Sequence, residues 1–573
     1  MDAESSAVKL PFLRLNNPFV QNLLSAACLF CNPGLYLAVS LLGAGGGRPT
    51  STTMANISNG TLYGVFVFSA LMAGTVLNTL GPRYTMMFGI TGYPVYIGSM
   101  WYFDAQGHLW FPIFAGAYLG LCAGCLWTTA AYMSSAYAEE KDKGLWRAIQ
   151  WTGNISGAAV GASVALGISW NSASASVPHS VYIVFIVIQV ASAGFASLLL
   201  PSNQLRRSDG TALAAFEHLT AWESLKITGS LFKDWRILIM IPCCFTAEMF
   251  FPLQASMNAY AFNLRTRTLN SLLNNLIQIP VTLGVGFLLD TERLGTRQRR
   301  AFYGITFDAV WITGAYVAQT IWLASWKFDR SIPGPSIDCN DKAYAGAVVI
   351  YMLYAAQYGV FQNVVLYVLG SLTNEPRKLA AMGGFFVSWL SAGTAVSFGV
   401  DATSQPYENE NAAYFALTTI CWPILYFVAW KCIKATNYDK EDNVIVPIHV
   451  RRELHLDAEK TGPLEGVEMP SETPQAMSEK VEPVEPVEPP LLAPLASTSK
   501  WADPADELFT ASVSIFTLLR ELDDAGAALN SQLLGRRHES ALYAYASQDR
   551  ILSTGRTRAD FEASEYSIHD VRG

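Results

Sequence analysis

The chain has 573 residues, of which 51% are hydrophobic and only 15% charged, where a soluble globular chain carries roughly 25% charged residues. That balance excludes a soluble enzyme. The charge is also divided along the chain: residues 1–435 hold 25 Lys and Arg against 21 Asp and Glu, whereas residues 436–573 hold 13 against 25. A weakly basic, apolar body carries an acidic tail.

From the N-terminus, MDAESSAVKL has no basic region followed by a short apolar stretch and a small-residue cleavage site. No cleaved signal peptide is predicted, and the first span is the insertion signal. Runs of about 20 or more mostly apolar residues, each sufficient for a bilayer core of about 30 Å, occur at 18–42, 60–80, 84–103, 110–136, 148–169, 181–201, 237–260, 269–289, 301–325, 344–370, 379–400 and 412–433. They lack the alternation of a membrane barrel, which leaves helices. The expectation is an all-α integral membrane protein with twelve transmembrane helices in two six-helix bundles. Its parts are a cytoplasmic N-terminus 1–17, a bundle 18–201, a central loop 202–236, a second bundle 237–433 and an acidic tail 434–573.

Basic residues set the orientation, because Lys and Arg stay on the cytoplasmic side. With the N-terminus inside, the inner loops hold 15 of them and the outer loops 6. Both termini are therefore predicted to be cytoplasmic. The sequons at Asn56 and Asn59 fall in the first outer loop and are candidate glycosylation sites. The inner loops at Gly81-Pro82-Arg83 and at Gly286 through Asp290 to Arg297 are six spans apart. Such an echo is expected of an internally repeated transporter, and Gly81, Arg83, Gly286, Asp290 and Arg297 are candidate gating residues.

Ionisable and amide side chains inside spans are costly to insert and tend to face a bundle interior or a water path. Glu248 and Asp308 are the carboxylates so placed, and either could carry a proton as access alternates. Asn270, Asn274 and Gln278 recur at four-residue spacing on one face of span 8, and Gln254 and Asn258 do the same on span 7. These amides could replace the water around a polar solute or bind helix to helix. In span 1, Asn32-Pro33-Gly34 predicts either a break or a kink, with Gln21 and Asn32 on the face leading to it. Asn154 shares a face of span 5 with Gly157-x-x-x-Gly161, a close-packing spacing. The pairs Cys28-x-x-Cys31 and Cys122-x-x-Cys125 lie in apolar runs without nearby His or carboxylate and read as packing residues. Neither a metal site nor a cofactor is predicted.

The tail is rich in Glu and Pro over 436–505, a composition that cannot bury a core and predicts a disordered linker. Beyond it, 506–536 spaces Phe and Leu as an amphipathic helix suited to a protein partner. No stretch resembles a nucleic-acid surface.

Several segments are similar to one family. LLGAGGG at 41–47, AGCLWTTAAY within Gly120–Tyr132, WTGNISGAAVG at 151–161, LRRSDGT at 205–211, RTRTLN at 265–270 and the stretch from Gly384-Phe385 to Gly393 resemble the fungal branch of the Unc-93-like family, within the major facilitator superfamily. The resemblance covers roughly residues 15–435 and implies two six-helix bundles around a cavity that opens alternately to either side. It also implies two kinds of activity, because the family includes transporters as well as channel regulators and receptor-trafficking partners. The loop at Gly81 lacks the acidic residue usual in the superfamily, whereas Asp290 supplies one in the second half.

The first reading is a secondary transporter of a small molecule or ion in the lipid bilayer, not an enzyme. Glu248 would couple it to protons, and spans 1, 5, 7 and 8 would line the path. The alternative is a non-transporting adaptor or regulatory subunit for a channel or receptor, recruiting a partner through the tail.

Overall fold

The first apolar run folds as α1 (Pro18–Leu29), one π-helical turn (Phe30–Gly34) and α2 (Leu35–Leu41). Asn17 caps α1 by accepting from the Phe19 amide, and Pro18 occupies the first turn, where its missing donor costs nothing. Of the break or kink predicted at Asn32-Pro33-Gly34, the break does not open. Asn32 Nδ2 donates to the Cys28 carbonyl (2.9 Å) and to Ser192 Oγ (2.7 Å), so a side-chain amide takes a carbonyl at the irregular turn and the helix runs through. The computed structural model describes residues 13–41, 51–169, 179–213, 220–438, 441 and 444–454. All belong to one compact unit, Met1–Ser471.

Two predicted spans, 60–80 and 84–103, share α3 (Ser51–Gln106), whose arms meet at Gly81. There φ is 77° and ψ 171°, a conformation that glycine tolerates. Next come α4 (Trp110–Ala136), α5 (Lys143–Ser169), α6 (His179–Ala191), α7 (Ala193–Ser197) and α8 (Ala221–Leu231). The seventh run is fragmented into α9 (Trp235–Leu238), α10 (Ile241–Thr246) and α11 (Phe250–Ala261). Thereafter the chain forms α12 (Leu264–Asp290), α13 (Arg297–Trp326), α14 (Tyr344–Gly370), α15 (Pro376–Ala402) and α16 (Tyr407–Cys432).

Among the described residues, nine helical stretches are long and apolar enough to cross a membrane. One of these contains both arms of α3, while α5 and α13, at 27 and 30 residues, are as long but more polar. Several helices also begin earlier than their apolar runs. Asn263 and Thr296 cap α12 and α13 through their side chains, so the polar first turn is already helical. Residues such as Lys143, Arg147, Arg297 and Arg300, expected in loops, are consequently helical.

The same effect corrects the sequons. Asn56 and Asn59 lie within α3 rather than in a loop. Asn59 is buried, its Oδ1 accepting from the phenols of Tyr36 (3.0 Å) and Tyr96 (2.8 Å).

The tail is corrected in its first part. Tyr438, Val444 and Val446 are buried, and α17 (Ile448–Leu454) follows them. The Glu and Pro of residues 455–505 dominate the composition of the predicted linker and conceal the apolar run Val444-Ile445-Val446-Pro447-Ile448. The predicted helix 506–536 lies outside the described residues.

Helix contacts place α3 against α4, α5 against α12, and α3 against α15. The glycines of α5 permit its approach to the first span. A Cβ on Gly157 would fall on the Phe30 carbonyl oxygen, and one on Gly161 would fall on Ala38 Cβ. Gly157→Ala is therefore expected to destabilise by about 1–3 kcal/mol, as overpacked cores do. Gly167→Ala, with nothing near its added carbon, should be neutral or mildly stabilising. Thermal unfolding of the two variants in detergent checks the pair.

Candidate functional site

The described residues line a central cavity of about 50 Å³, room for a few water molecules. Its walls are Pro33 and Tyr36 from the first span, Tyr63, Phe66 and Tyr93 from α3, Trp127 from α4, and Trp151 from α5. Tyr358 and Gln362 of α14 and three residues of α15 complete them. Two charged side chains also line it, Glu248 and Arg147.

Glu248 lies in the turn between α10 and α11, so the helix is interrupted where the carboxylate enters the cavity. Its Oε1 accepts from the phenols of Tyr63 (3.1 Å) and Tyr358. Among the described residues no donor reaches Oε2, which is left for a further hydrogen bond. Tyr358 meets the Trp151 ring edge-on at 4.7 Å, and the Arg147 guanidinium lies 5.9 Å from that ring. Thus α5 carries a cation and an indole that lead across α14 to the carboxylate. These walls offer a small solute aromatic faces, one carboxylate and one guanidinium, in a space that must widen to admit it.

Of the two alternatives for the amides of spans 7 and 8, four of the five side chains pair with one another, helix to helix. Gln254 Nε2 donates to Asn274 Oδ1 (3.1 Å), and Asn270 Nδ2 to Asn258 Oδ1 (2.9 Å). Asn270 Oδ1 accepts from the Tyr344 phenol (2.8 Å). The stripes on α11 and α12 therefore face each other as interhelical contacts, each worth about 0.6–2 kcal/mol. Gln278 Oε1 accepts from Trp151 Nε1 (3.2 Å) and buttresses a cavity wall. Gln21 bonds the Leu15 and Leu198 carbonyls and the Leu200 amide, and so ties the first span to the end of α7. Asn32 is committed to its own turn and Ser192. Asn154 and Asp308 are fully buried away from the cavity, and their side-chain polar atoms have no hydrogen-bond partner among the described residues.

The face from which α16 leaves towards the tail is closed. Asp290 receives the first amides of α5, Gly144 N on Oδ1 (3.1 Å) and Leu145 N on Oδ2 (2.5 Å), where the helix dipole favours an anion. Gly286 permits this approach, since a Cβ there would lie 2.7 Å from Ala148 Cβ. Arg297 Nη1 lies 3.0 Å from Glu140 Oε1. Lys143 Nζ donates to the Gly370 carbonyl (2.7 Å) and to Asn374 Oδ1 (2.9 Å). The candidate gating residues Gly286, Asp290 and Arg297 thus meet the start of α5 and the loop before it. Arg83, beside the Gly81 kink, is exposed and takes no part.

Glu139 in the same loop resists the burial that disfavours its charge. The His449 ring at 3.2 Å, Arg207 and Lys141 hold it at about 2. Glu139 in turn raises His449 above its ordinary 6.5, against burial and Lys141 and with help from Asp209. At the opposite face, the Arg265 guanidinium beside Asp338 (2.5 Å) holds that carboxyl well below the usual range. Arg265 is a helix-end anchor there.

The cavity residues missed by sequence reasoning are mainly Arg147, Trp151 and the tyrosines. Arg147 counts as a topology signal until α5 is seen to begin at Lys143. Its spacing of four from Trp151 is the available clue, because it puts both on one helical face.

The architecture is that of a multi-pass helical membrane protein with the major facilitator fold. A bacterial homologue of the iron transporter ferroportin, in its outward-facing state, aligns with a TM-score of 0.52 at 13% identity over 73% of this chain and all of that one. The major facilitator transporter FucP in its outward conformation aligns with 0.50 at 12% identity over 74% and 100%. The family profile described as ion channel regulatory protein UNC-93 matches residues 53–287. An uncharacterized membrane protein of Schizosaccharomyces pombe is 38% identical over 69% of this chain and 81% of its own length. An UNC93-like protein of the same yeast is 30% identical over 74% and 84%, and UNC93-like protein 1 of Arabidopsis thaliana 29% over 75% and 94%. The chain belongs to the UNC-93-like family. Its apolar helices and its family make it a multi-pass membrane protein.

Tyr358→Phe removes one of the two phenols on Glu248 and is expected to lower stability by about 1–3 kcal/mol, read as the denaturation midpoint. The Glu139–His449 pair also has a pH signature. The Glu139 contribution is present above the ordinary carboxylate value and is lost as pH falls towards about 2. The His449 contribution is full below 6.5 and is lost as pH rises through its elevated value. The thermal midpoint of wild type should exceed that of His449→Gln near pH 6, and the gap should narrow as pH rises through the elevated value of His449.

Proposed function

We propose that the protein is a secondary transporter of a small organic solute, with Glu248 reading the polar head of the solute and exchanging a proton with it. The observation that supports this most is the position of Glu248. It is a carboxylate at an interrupted helix, donated to by two phenols, in an aromatic cavity deep within the helices. Irregular backbone in a membrane is tolerated where it lines a cavity, and broken helices mark binding sites in transporters. One carboxylate, several aromatic faces and a guanidinium suit an organic solute whose charged or hydrogen-bonding end meets Glu248 and whose apolar body rests on the rings.

In this reading the spans number twelve. They are α1 with α2, the two arms of α3, α4, α5, α6 with α7, α9 through α11, and α12 to α16. They form bundles before and after the 202–234 segment, which rock about the cavity. Both termini are cytoplasmic, and the bonded face around Asp290 and Glu140 is the closed cytoplasmic gate.

The second reading, a regulatory subunit, is favoured by the description of the family profile and needs no solute. A thermal-shift screen of wild type and Glu248→Gln against organic cations, zwitterions and neutral aromatics over a pH series separates the two. A ligand at 100 times its dissociation constant adds roughly 2.7 kcal/mol of apparent stability. The expected result is a hit whose effect is strongly weakened by Glu248→Gln, followed by pH-dependent uptake into proteoliposomes that the variant loses. Unchanged pH-dependent uptake by Glu248→Gln removes the proton role. Silence across the panel, with no uptake, favours the regulatory subunit.

A further inference from the structure

The ordered start of the tail crosses the closed face and bonds to three separated stretches of chain. Asn437 donates its amide to Glu140 Oε1 (2.9 Å) and its Nδ2 to the Ser371 carbonyl (2.9 Å). Glu441 accepts from Thr373 Oγ1 and from the Asn374 amide, both at 2.7 Å. The segment then reaches the turn made by Arg207-Ser208-Asp209-Gly210-Thr211. This turn is closed by the Arg207 amide on the Thr211 carbonyl (2.9 Å), with Gly210 at φ 83°. Arg207 Nη1 donates to the Ile445 carbonyl (3.3 Å), and Asp209 Oδ2 accepts from the Ile448 amide (2.9 Å). Asp209 is shaped for this, since its Oδ1 is already held by Thr211 N and Oγ1 (3.0 and 2.6 Å). Finally His449 meets Glu139 at 3.2 Å.

The stretches so joined are the loop between α4 and α5, the turn after α7, and the loop between α14 and α15. The first precedes the central segment, the second opens that segment and is tied to the first span by the Arg206 amide on the Asn16 carbonyl (3.0 Å), and the third follows it. If the bundles separate at this face, Glu140 and Asp209 move away from Ser371, Thr373 and Asn374. One segment cannot hold both sides through that movement, because its bonds are too short and too numerous to stretch.

We propose that residues 436–438, 441 and 444–454 act as an intramolecular clasp that keeps the cytoplasmic gate shut and must detach from at least one side before the gate can open. The clasp rests on the alternating-access reading above. It gives the turn at 207–211 a role, as the dock for the clasp, that the solute path does not require.

The test uses full-length protein carrying Cys339→Ser, since the remaining eight cysteines are buried. Spin labels at Arg83→Cys and Arg299→Cys, both exposed positions at this face, report its width by pulsed electron resonance. Three backgrounds are compared: wild type, the clasp variant Asn437→Ala/Glu441→Ala/His449→Ala, and a gate variant Asp290→Ala. The milder His449→Ala, at a half-exposed side chain, serves where the triple variant unfolds. The clasp predicts a single short distance in wild type and an added longer population in the clasp variant, with a smaller one for His449→Ala alone. If Asp290→Ala produces the longer population and neither clasp variant does, the clasp is overturned and the carrier reading stands. If no background lengthens the distance, alternating access at this face fails and the clasp falls with it.

Discussion

A polar group in the interior of a membrane protein is costly without a partner there, and the pairings that meet that cost organise this molecule. Glu248 takes two phenols from different helices, α3 and α14, and thereby joins chain on either side of the central segment at the cavity wall. The amides of α11 and α12 satisfy each other. Asn32 bonds the irregular turn that Pro33 would otherwise expose. Each of these pairings brings particular helices together, and the cavity is the space their aromatic side chains leave between them.

The second constraint is close approach. α5 touches the first span through Gly157 and Gly161, and touches α12 where Gly286 stands beside Ala148. These glycines supply no adhesion, but they allow polar groups to reach across. Asp290 can receive the first amides of α5 because the helices are near enough there, and Lys143 can reach the end of α14 for the same reason. The interior of α5 contributes Arg147 and Trp151 to the cavity, while its first residues form the closed face. A displacement of α5 relative to α12 would alter both the closed face and the cavity.

Much of the fold was legible in advance because membrane burial writes itself into composition. The apolar runs located every long helix, and Glu248 stood out as a charge in hydrocarbon. The amide stripes were legible as stripes, yet their partners were not, since a face at four-residue spacing does not say whether water, solute or another helix lies opposite. The sequons near the start of α3 look like a loop by polarity. Only the tyrosines folded over Asn59 make that segment interior. The tail misled for a different reason: a composition averaged over seventy or so residues hid the few apolar ones at 444–448 that find a surface.

The sequence by itself determined a multi-pass helical body, the helices that must hide polar groups, and the family to which the chain belongs. Those properties are local, because the transfer of about twenty residues into hydrocarbon depends on those residues alone. Tertiary structure alone decided that Arg147, Trp151, Tyr63 and Tyr358 converge on Glu248, that Asn154 and Asp308 do not, and that Asn437, Glu441, Ile448 and His449 bond to the closed face. Convergence depends on which helix stands opposite which. That is set by small residues and paired polar groups far apart in the chain, whose spacing along it carries no record of their distance in space.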